Sequence, residues 1–354
     1  MQAIISLGVI IVCIYLLSII TDEYFIESLD EISDRLKLPS NVAGASLMAM
    51  GSSMPELSIA LLSLIQRGGE HSDVGVGNIV GSAVFNILVI TGLSGLIRPA
   101  KVTWQVIVRD CFIYTVSIAL LLATFADGQV TLFEVFLFLG LYAIYIFILF
   151  QWSLIVPNGD DDIVEILEEE IEKETAKTSL YHRFTAGVSA IIGLTTGEPR
   201  HSFVRTFLIS IGYIVLISYF LVEHAVRFAE AIHVPPILIA LTVLAGGSSV
   251  PDLIASLLVA REGRGEMAVS NAVGSNIFDI SIGLGLPWLF VLLTRQETIT
   301  VGTADLWSST IILLLTVVIL FIFLSTNREL SRKEGGVLVL LYVAYVLWIW
   351  LSHR

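Results

Sequence analysis

GSSMPEL, residues 51–57, and GSSVPDL, residues 247–253, each stand near the middle of an apolar run. A proline has no N–H and clashes with the carbonyl four residues back. Pro55 therefore frees the carbonyl of Gly51, Pro251 frees that of Gly247, and the glycines let the backbone bend. Inside a membrane, such carbonyls must be satisfied by protein, water or an ion. Side chains add to the patch. On a helix, Ala49, Ser52 or Ser53, and Glu56 share one face by their spacing of three to four, as do Ala245, Ser248 or Ser249, and Asp252.

The two stretches belong to a longer internal repeat. A shift of 196 places Pro39, Ala49, Gly51, Ser52, Ser53, Pro55 and Leu57 on Pro235, Ala245, Gly247, Ser248, Ser249, Pro251 and Leu253, with Glu56 on Asp252. A shift of 193 places Asn78, Val80, Gly81, Ser82, Phe85 and Gly92 on Asn271, Val273, Gly274, Ser275, Phe278 and Gly285, with Asn86 on Asp279. Ser82 and Asn86 are four apart, as are Ser275 and Asp279, so each pair shares a helix face.

Of the 354 residues 56% are hydrophobic and only 14% charged, with a mean hydropathy of +0.88. A soluble domain carries roughly 25% charged residues. Ten apolar segments stand out, at about 3–20, 43–66, 74–97, 106–125, 130–156, 203–222, 236–260, 267–293, 304–326 and 335–352. Their lengths approach or exceed the ~20 residues a helix needs to cross a bilayer. The fold class is therefore all-α integral membrane, with membrane lipid as its surroundings and no nucleic acid as partner. A DNA-binding domain, a disulfide scaffold and a disordered chain are excluded. Cys13 and Cys111 stand alone in apolar runs and make no disulfide framework or metal site. The first segment lacks a basic leader and a small-residue cleavage site, and reads as a retained helix.

Ten crossings put both termini on one side. The loops after the odd-numbered segments hold 15 of the 19 Lys and Arg residues. By the positive-inside rule those loops are cytoplasmic, and both termini lie outside a plasma or cell inner membrane. The chain then divides into a first five-helix half, 1–156, with a repeat at about 39–97; an acidic cytoplasmic loop, 157–202; and a second half, 203–354, with a repeat at about 235–293. Five spans per half force the second repeat to be inverted. Inverted repeats with broken helices at matching positions point to a secondary transporter with its site near the midplane. The acidic stretch 160–174 reads as a solvated linker, with a regulatory cation site as the alternative, and its spacing matches no EF-hand loop.

Carboxylates, hydroxyls, an amide and carbonyls are all oxygen donors, which suit Ca²⁺ or Na⁺ rather than zinc or copper. Glu56, Asp252 and Asp279 have no basic residue in their own segments to pair with. Each costs at least ~2.5–3.5 kcal/mol at a helix centre and calls for a cation. The bland alternative is that Pro and Gly kink helices while serines bond their own backbone. It does not account for carboxylates at matching positions of both repeats. Weaker signals read as interfacial: Glu134 snorkelling, Glu223 and His224 at a span end, and Arg109 paired with Asp110 near the start of the fourth segment. No Walker motif supports ATP-driven pumping.

These residues resemble a known family. The paired G-S-S-x-P-E/D and G-S-x-x-F-N/D motifs are similar to the alpha repeats of the cation/calcium exchanger superfamily. NVAGASLMAMGSSMPEL (41–57), DVGVGNIVGSAVFNIL (73–88) and MAVSNAVGSNIFDI (267–280), followed by GLPWL (285–289), resemble its potassium-dependent sodium/calcium branch more closely. The resemblance implies alternating access, with one Ca²⁺ exchanged for several Na⁺, and Glu56 and Asp252 as central Ca²⁺ ligands. It also implies that Ser52, Ser53, Ser82, Asn86, Ser248, Ser249, Ser275 and Asp279, with the carbonyls of Ala49 and Ala245, complete the Ca²⁺ and Na⁺ sites. An aspartate at position 279 goes with K⁺ co-transport in that branch. The proton/calcium branch carries a G-N-x-x-E motif that this chain lacks. The 157–202 loop is too short for the regulatory calcium-binding domains of animal sodium/calcium exchangers.

The expected function is a Na⁺-coupled Ca²⁺ antiporter, with K⁺ co-transport left open. No enzyme activity, cofactor or obligatory protein partner is expected. A H⁺-coupled or Mg²⁺-transporting relative is the alternative within transport. An intramembrane hydrolase using His224 would not explain why serines are duplicated and no histidine is. A passive channel would not require inverted repeats around one site.

Overall fold

The computed structural model describes residues 1–36, 49–66, 71–102, 104–155, 181–261, 263, 265–295, 299–301 and 304–352. Pro39, the start of the second segment and the acidic stretch 160–174 lie outside the described residues. In hydrocarbon a backbone must satisfy itself, so long apolar runs fold as helices. Helix α1 joins Gln2–Ile20, a π turn Thr21–Ile26 and Glu27–Leu36. Helix α2 is broken into Ala49–Ser52 and Met54–Ile65. Helix α3 joins Ser72–Phe85, a π turn Asn86–Ile90 and Thr91–Ile97. Helices α4 (Trp104–Asp127) and α5 (Leu132–Ile155) complete the first half.

After α6 (Tyr181–Thr196) and α7 (Pro199–Ala231), the second half repeats this plan. Helix α8 bends by 45° between Pro236–Ser248 and Val250–Arg261. Helix α9 joins Gly265–Phe278, a π turn Asp279–Gly283 and Gly285–Thr294. Helices α10 (Ala304–Asn327) and α11 (Arg332–Ser352) end the chain. Among the described residues, eight helices are long and apolar enough to span a membrane, and the bent α8 makes a ninth. The repeat counterpart of α8 is α2, whose described part holds the shorter apolar helix Met54–Ile65 and which takes the remaining place in the expected ten-span order.

Two short antiparallel ladders tie the halves together. Strand β1 (Ala100–Lys101) pairs with β4 (Glu329–Leu330), and β2 (Gln129–Val130) with β3 (Ile299–Thr300). β1 follows the third span and β4 the ninth; β2 follows the fourth and β3 the eighth. An alternating ten-span path puts each pair on one side of the membrane, so the ladders have the parity that inverted halves require.

Several local expectations change, and the expected 157–202 loop carries a helix of its own, α6. Hydropathy ends the first segment near residue 20, but α1 stays helical to Leu36. Its amphipathic end buries Phe25 and Leu29, and Phe25 stacks on Phe207 of α7 at 5.3 Å. Glu134 does not snorkel: its carboxylate accepts from the Thr131 N–H at 2.8 Å and from its hydroxyl at 2.7 Å. Glu334 does the same for Ser331 at the head of α11, so one capping box starts the last helix of each half. Arg109 and Asp110 do pair, at 2.6 and 3.0 Å, but Asp110 is buried within the bundle rather than interfacial.

Helices α3 and α9 form the interior, while outer helices expose Phe133, Phe136, Phe147, Leu340 and Leu347 to lipid. Glycine makes the innermost contact. A Cβ at Gly81 of α3 would lie 2.5 Å from the Leu241 carbonyl oxygen and 2.7 Å from the Ala245 Cβ of α8. Gly81→Ala should therefore cost about 1–3 kcal/mol, as overpacking does. Gly140→Ala, where nothing lies within 4 Å, should not destabilise. Thermal unfolding of both variants in detergent checks this; equal stability would mean that α3 and α8 do not meet so closely.

Candidate functional site

The two quoted motifs adopt nearly the same backbone. Each helix breaks at the second serine, Ser53 at φ −91°, ψ 4° and Ser249 at φ −87°, ψ 4°. A new half-helix starts one residue later. The prolines thus fall in a first turn, where a missing N–H costs little. The break lies two residues ahead of each proline. Glu56 and Asp252 also occupy these first turns, where the helix dipole favours negative charge.

The donors meet across the repeats. Glu56 and Asp252 act on each other electrostatically, and Asp279 feels both. Ser248 of the second motif lies beside Glu56 of the first, and Ser52 of the first lies beside Asp252 of the second. Ser53 lies beside Asp279. Glu56, Asp279, Ser53, Ser249, Ser82, Asn86 and Ser275 are buried, as is Ser248, whereas Asp252 and Ser52 are half-buried. Asn86 and Asp279 each open a π turn, a device frequent at functional sites.

One site residue escapes the repeat comparison. Asn276 accepts from Asn86 Nδ2 at 2.9 Å, and its own amide donates to the Ala83 carbonyl at 3.2 Å and to Tyr114 Oη at 2.9 Å. Asn86 Nδ2 also reaches Ser275 Oγ at 3.4 Å. These bonds fix the Asn86 amide and leave its Oδ1 unpartnered. A shift of 193 places Asn276 on Ala83, so repeat symmetry conceals it. The available signal is a second amide three residues before Asp279 in the same apolar run.

The decisive feature is unpartnered oxygen. The Oγ atoms of Ser52, Ser53 and Ser249, with Glu56 Oε2, Asn86 Oδ1 and Asp279 Oδ1, are buried without a hydrogen-bond partner among the described residues. Leaving one such group unsatisfied costs roughly 1–3 kcal/mol. Ser82, Ser248 and Ser275 donate to the carbonyls of Ile79, Ala245 and Ala272 at 3.0, 3.4 and 3.3 Å. This spends their protons and leaves their oxygens lone pairs to offer. The Ala245 carbonyl also accepts from the Ser249 N–H at 3.2 Å. Ala49 is the first described residue of α2. Among the described residues no three His, Cys, Asp or Glu side chains close into one metal site. A bound ion would thus draw on carboxylates mixed with hydroxyl and amide oxygens, a donor set that suits hard cations.

His224 Nδ1 lies 3.4 Å from Ser6 Oγ of α1. Helix α7 runs on to Ala231, so Glu223 and His224 lie about two turns inside it rather than at a span end, and Glu223 pairs with Arg227 at 2.8 Å.

The chain is similar to known proteins over nearly its whole length. The family model described as sodium/calcium exchanger protein matches residues 5–151 and 202–351. Human sodium/potassium/calcium exchanger 5 is 31% identical over 399 residues, which cover 92% of this chain and 79% of that protein. Human sodium/potassium/calcium exchanger 4 is 26% identical, covering 94% and 78%. Among solved structures, the H⁺/Ca²⁺ exchanger CAX superposes with a TM-score of 0.70 at 16% identity, covering 98% of this chain and 81% of that one. The sodium-calcium exchanger NCX_Mj superposes with a TM-score of 0.59 at 21% identity, covering 98% and 99%. The last two show the shared all-α fold with its inverted repeat, and the match across both halves shows that the chain belongs to the sodium/calcium exchanger protein family.

Proposed function

We propose that this protein is a secondary antiporter that exchanges Ca²⁺ for Na⁺ by alternating access and is not an enzyme. The observation that carries the reading is the crossing of the motifs. Each repeat's serine stands beside the other repeat's carboxylate, amid buried oxygens that have no hydrogen-bond partner among the described residues. Glu56 and Asp252 supply the two negative charges that one Ca²⁺ requires. Ser52, Ser53, Ser82, Asn86, Ser248, Ser249 and Ser275, with the carbonyls of Ala49 and Ala245, are the remaining proposed ligands of Ca²⁺ and Na⁺. Uptake of ⁴⁵Ca²⁺ into proteoliposomes, with Na⁺, K⁺ and H⁺ gradients imposed one at a time, tests the reading. Uptake driven by an outward Na⁺ gradient supports it, and uptake that follows only a pH gradient favours the H⁺-coupled alternative.

Glu56→Gln and Asp252→Asn keep the shape of each side chain and remove its charge. Each should abolish exchange while the protein still folds. By analogy with broken buried ion pairs, the loss is roughly 3–5 kcal/mol, about two to three decades or more in Ca²⁺ affinity. Near-normal uptake by either variant at micromolar Ca²⁺ would show the assigned ligands to be wrong.

Asp279 adds a third negative charge where the other repeat has neutral Asn86. A second, monovalent cation or a proton must balance it. The relatives at 31% and 26% identity bear names that include potassium, which favours K⁺. Wild-type Na⁺-driven Ca²⁺ flux should then rise with K⁺ on the Ca²⁺ side, and Asp279→Asn should remove that dependence while keeping some exchange. Flux unchanged when choline replaces K⁺ would leave Asp279 to a proton.

The basic residues gathered after the odd-numbered spans support termini outside and a 157–202 loop in the cytoplasm of a plasma or cell inner membrane. Single cysteines in that loop should resist an impermeant thiol reagent applied to intact cells. Labelling there from outside would reverse the orientation.

A further inference from the structure

Four residues of α1, Ile14, Ser18, Asp22 and Ile26, are spaced by four and form one stripe. Both ends of that stripe sit on the motifs. The Ile14 side chain fills the space a Cβ would take at Gly247, and Ile26 Cγ1 would lie 2.8 Å from a Cβ at Gly51. The centre of the stripe, Ser18 and Asp22, is thereby held over the junction between α2 and α8. Ser18 Oγ donates to Asp22 Oδ2 at 3.1 Å.

Asp22 is exposed although the residues at both ends of its stripe are packed. Among the described residues, then, nothing covers the Asp22 carboxylate at the level of the motifs. Asp252 is half-buried and acts electrostatically on Asp22, while Glu56 and Asp279 are sealed. The accessible side of the candidate ion site is thus the side that Asp22 borders.

Three further features set Asp22 apart. It lies in the π turn Thr21–Ile26, and two other π turns begin at the site residues Asn86 and Asp279. Its neighbours have structural work, since Glu23 and Tyr24 dock α6 through Ser189, with Tyr24 Oη donating to the Ser189 carbonyl at 2.6 Å. The shift of 196 places Ser218 opposite Asp22, so only the first half carries a charge here.

We propose that Asp22, steadied by Ser18, is a positioning residue at the mouth of the ion path, where its carboxylate gathers a hard cation and passes it to Asp252. The inference rests on the antiport reading above. A negative charge in a cleft with low-dielectric walls concentrates cations without needing to complete their coordination. Asp22 therefore governs how much Ca²⁺ is needed and leaves the turnover of the loaded protein alone.

The test is Na⁺-driven ⁴⁵Ca²⁺ flux in proteoliposomes for wild type, Asp22→Asn and Asp22→Glu, with thermal unfolding measured on the same preparations. Asp22→Asn should raise the Ca²⁺ concentration for half-maximal flux by about tenfold, the low end for focusing in a cleft. Its maximal rate should stay within about twofold, and Asp22→Glu should restore the wild-type value. Added choline chloride should raise the wild-type half-saturation and change Asp22→Asn less, because salt screens the lost charge. An unchanged half-saturation in Asp22→Asn overturns the proposal, as does a fall in maximal rate alone or an Asp22→Glu that behaves like Asp22→Asn. Absence of Ca²⁺ flux in the wild type would instead remove the antiport reading, and this proposal with it.

Discussion

Negative charge enclosed in an apolar bundle is the constraint on which the rest of this structure depends. Glu56 and Asp279 are sealed from solvent, and Asp252 is half-buried beside them. A charge in such a place is costly, and unsatisfied oxygens around it add to the cost. The fold meets part of that cost with its own backbone. Breaking α2 and α8 at Ser53 and Ser249 creates two helix N-termini in mid-bundle, and Glu56 and Asp252 stand in their first turns. The part that remains matches what a hard cation supplies.

Neither half can complete the candidate site alone. Ser248 lies beside Glu56, Ser52 beside Asp252 and Ser53 beside Asp279, so each carboxylate has a hydroxyl of the other repeat next to it. The glycine contact of α3 on α8 and the two interhalf ladders hold the halves in the register this sharing needs. Packed interfaces of this kind shift between discrete arrangements rather than deforming smoothly. A displacement of one half against the other would change both sets of donors together, which is the coupling that the proposed alternating access requires. Helix α1 is placed to take part, since it touches the glycines of both motifs.

The sequence made the local chemistry legible and left the crossings hidden. Spacing alone put Ser53 and Glu56 on one face, and the register of the repeats matched Asn86 to Asp279. Those are properties of a single helix or of a comparison along the chain. Asn276 stayed hidden because its role comes from three contacts on other helices and its repeat counterpart is Ala83. The capping role of Glu134 follows from Thr131 three residues before it, a signal that its place at a span end obscured. The length of α1 was misjudged because hydropathy stops at the first charged residues, whereas the helix continues on the strength of Phe25 and Leu29 packing against other helices. Burial of Asp110 is likewise a tertiary fact, which its position near the start of α4 does not reveal.

Inverted repeats would make the two faces of a transporter equivalent if they were identical, and here they are not. Asn86 faces Asp279 across the pseudo-symmetry, and Ser218 answers Asp22. Both differences put a carboxylate on one repeat and a neutral group on the other. A neutral amide can ligate a cation but cannot balance its charge, so the second repeat must carry the extra ion or proton. A hydroxyl at the counterpart of Asp22 can likewise ligate but cannot attract from a distance. On the proposed role of Asp22, the half-cycle in which the path borders α1 would be the one in which charge draws cations toward the site. In the opposite half-cycle the ion would meet the sealed donors without that help. The duplication thus supplies the shared donors, and on the proposed antiport the unpaired charge of Asp22 would give the two half-cycles unequal affinity.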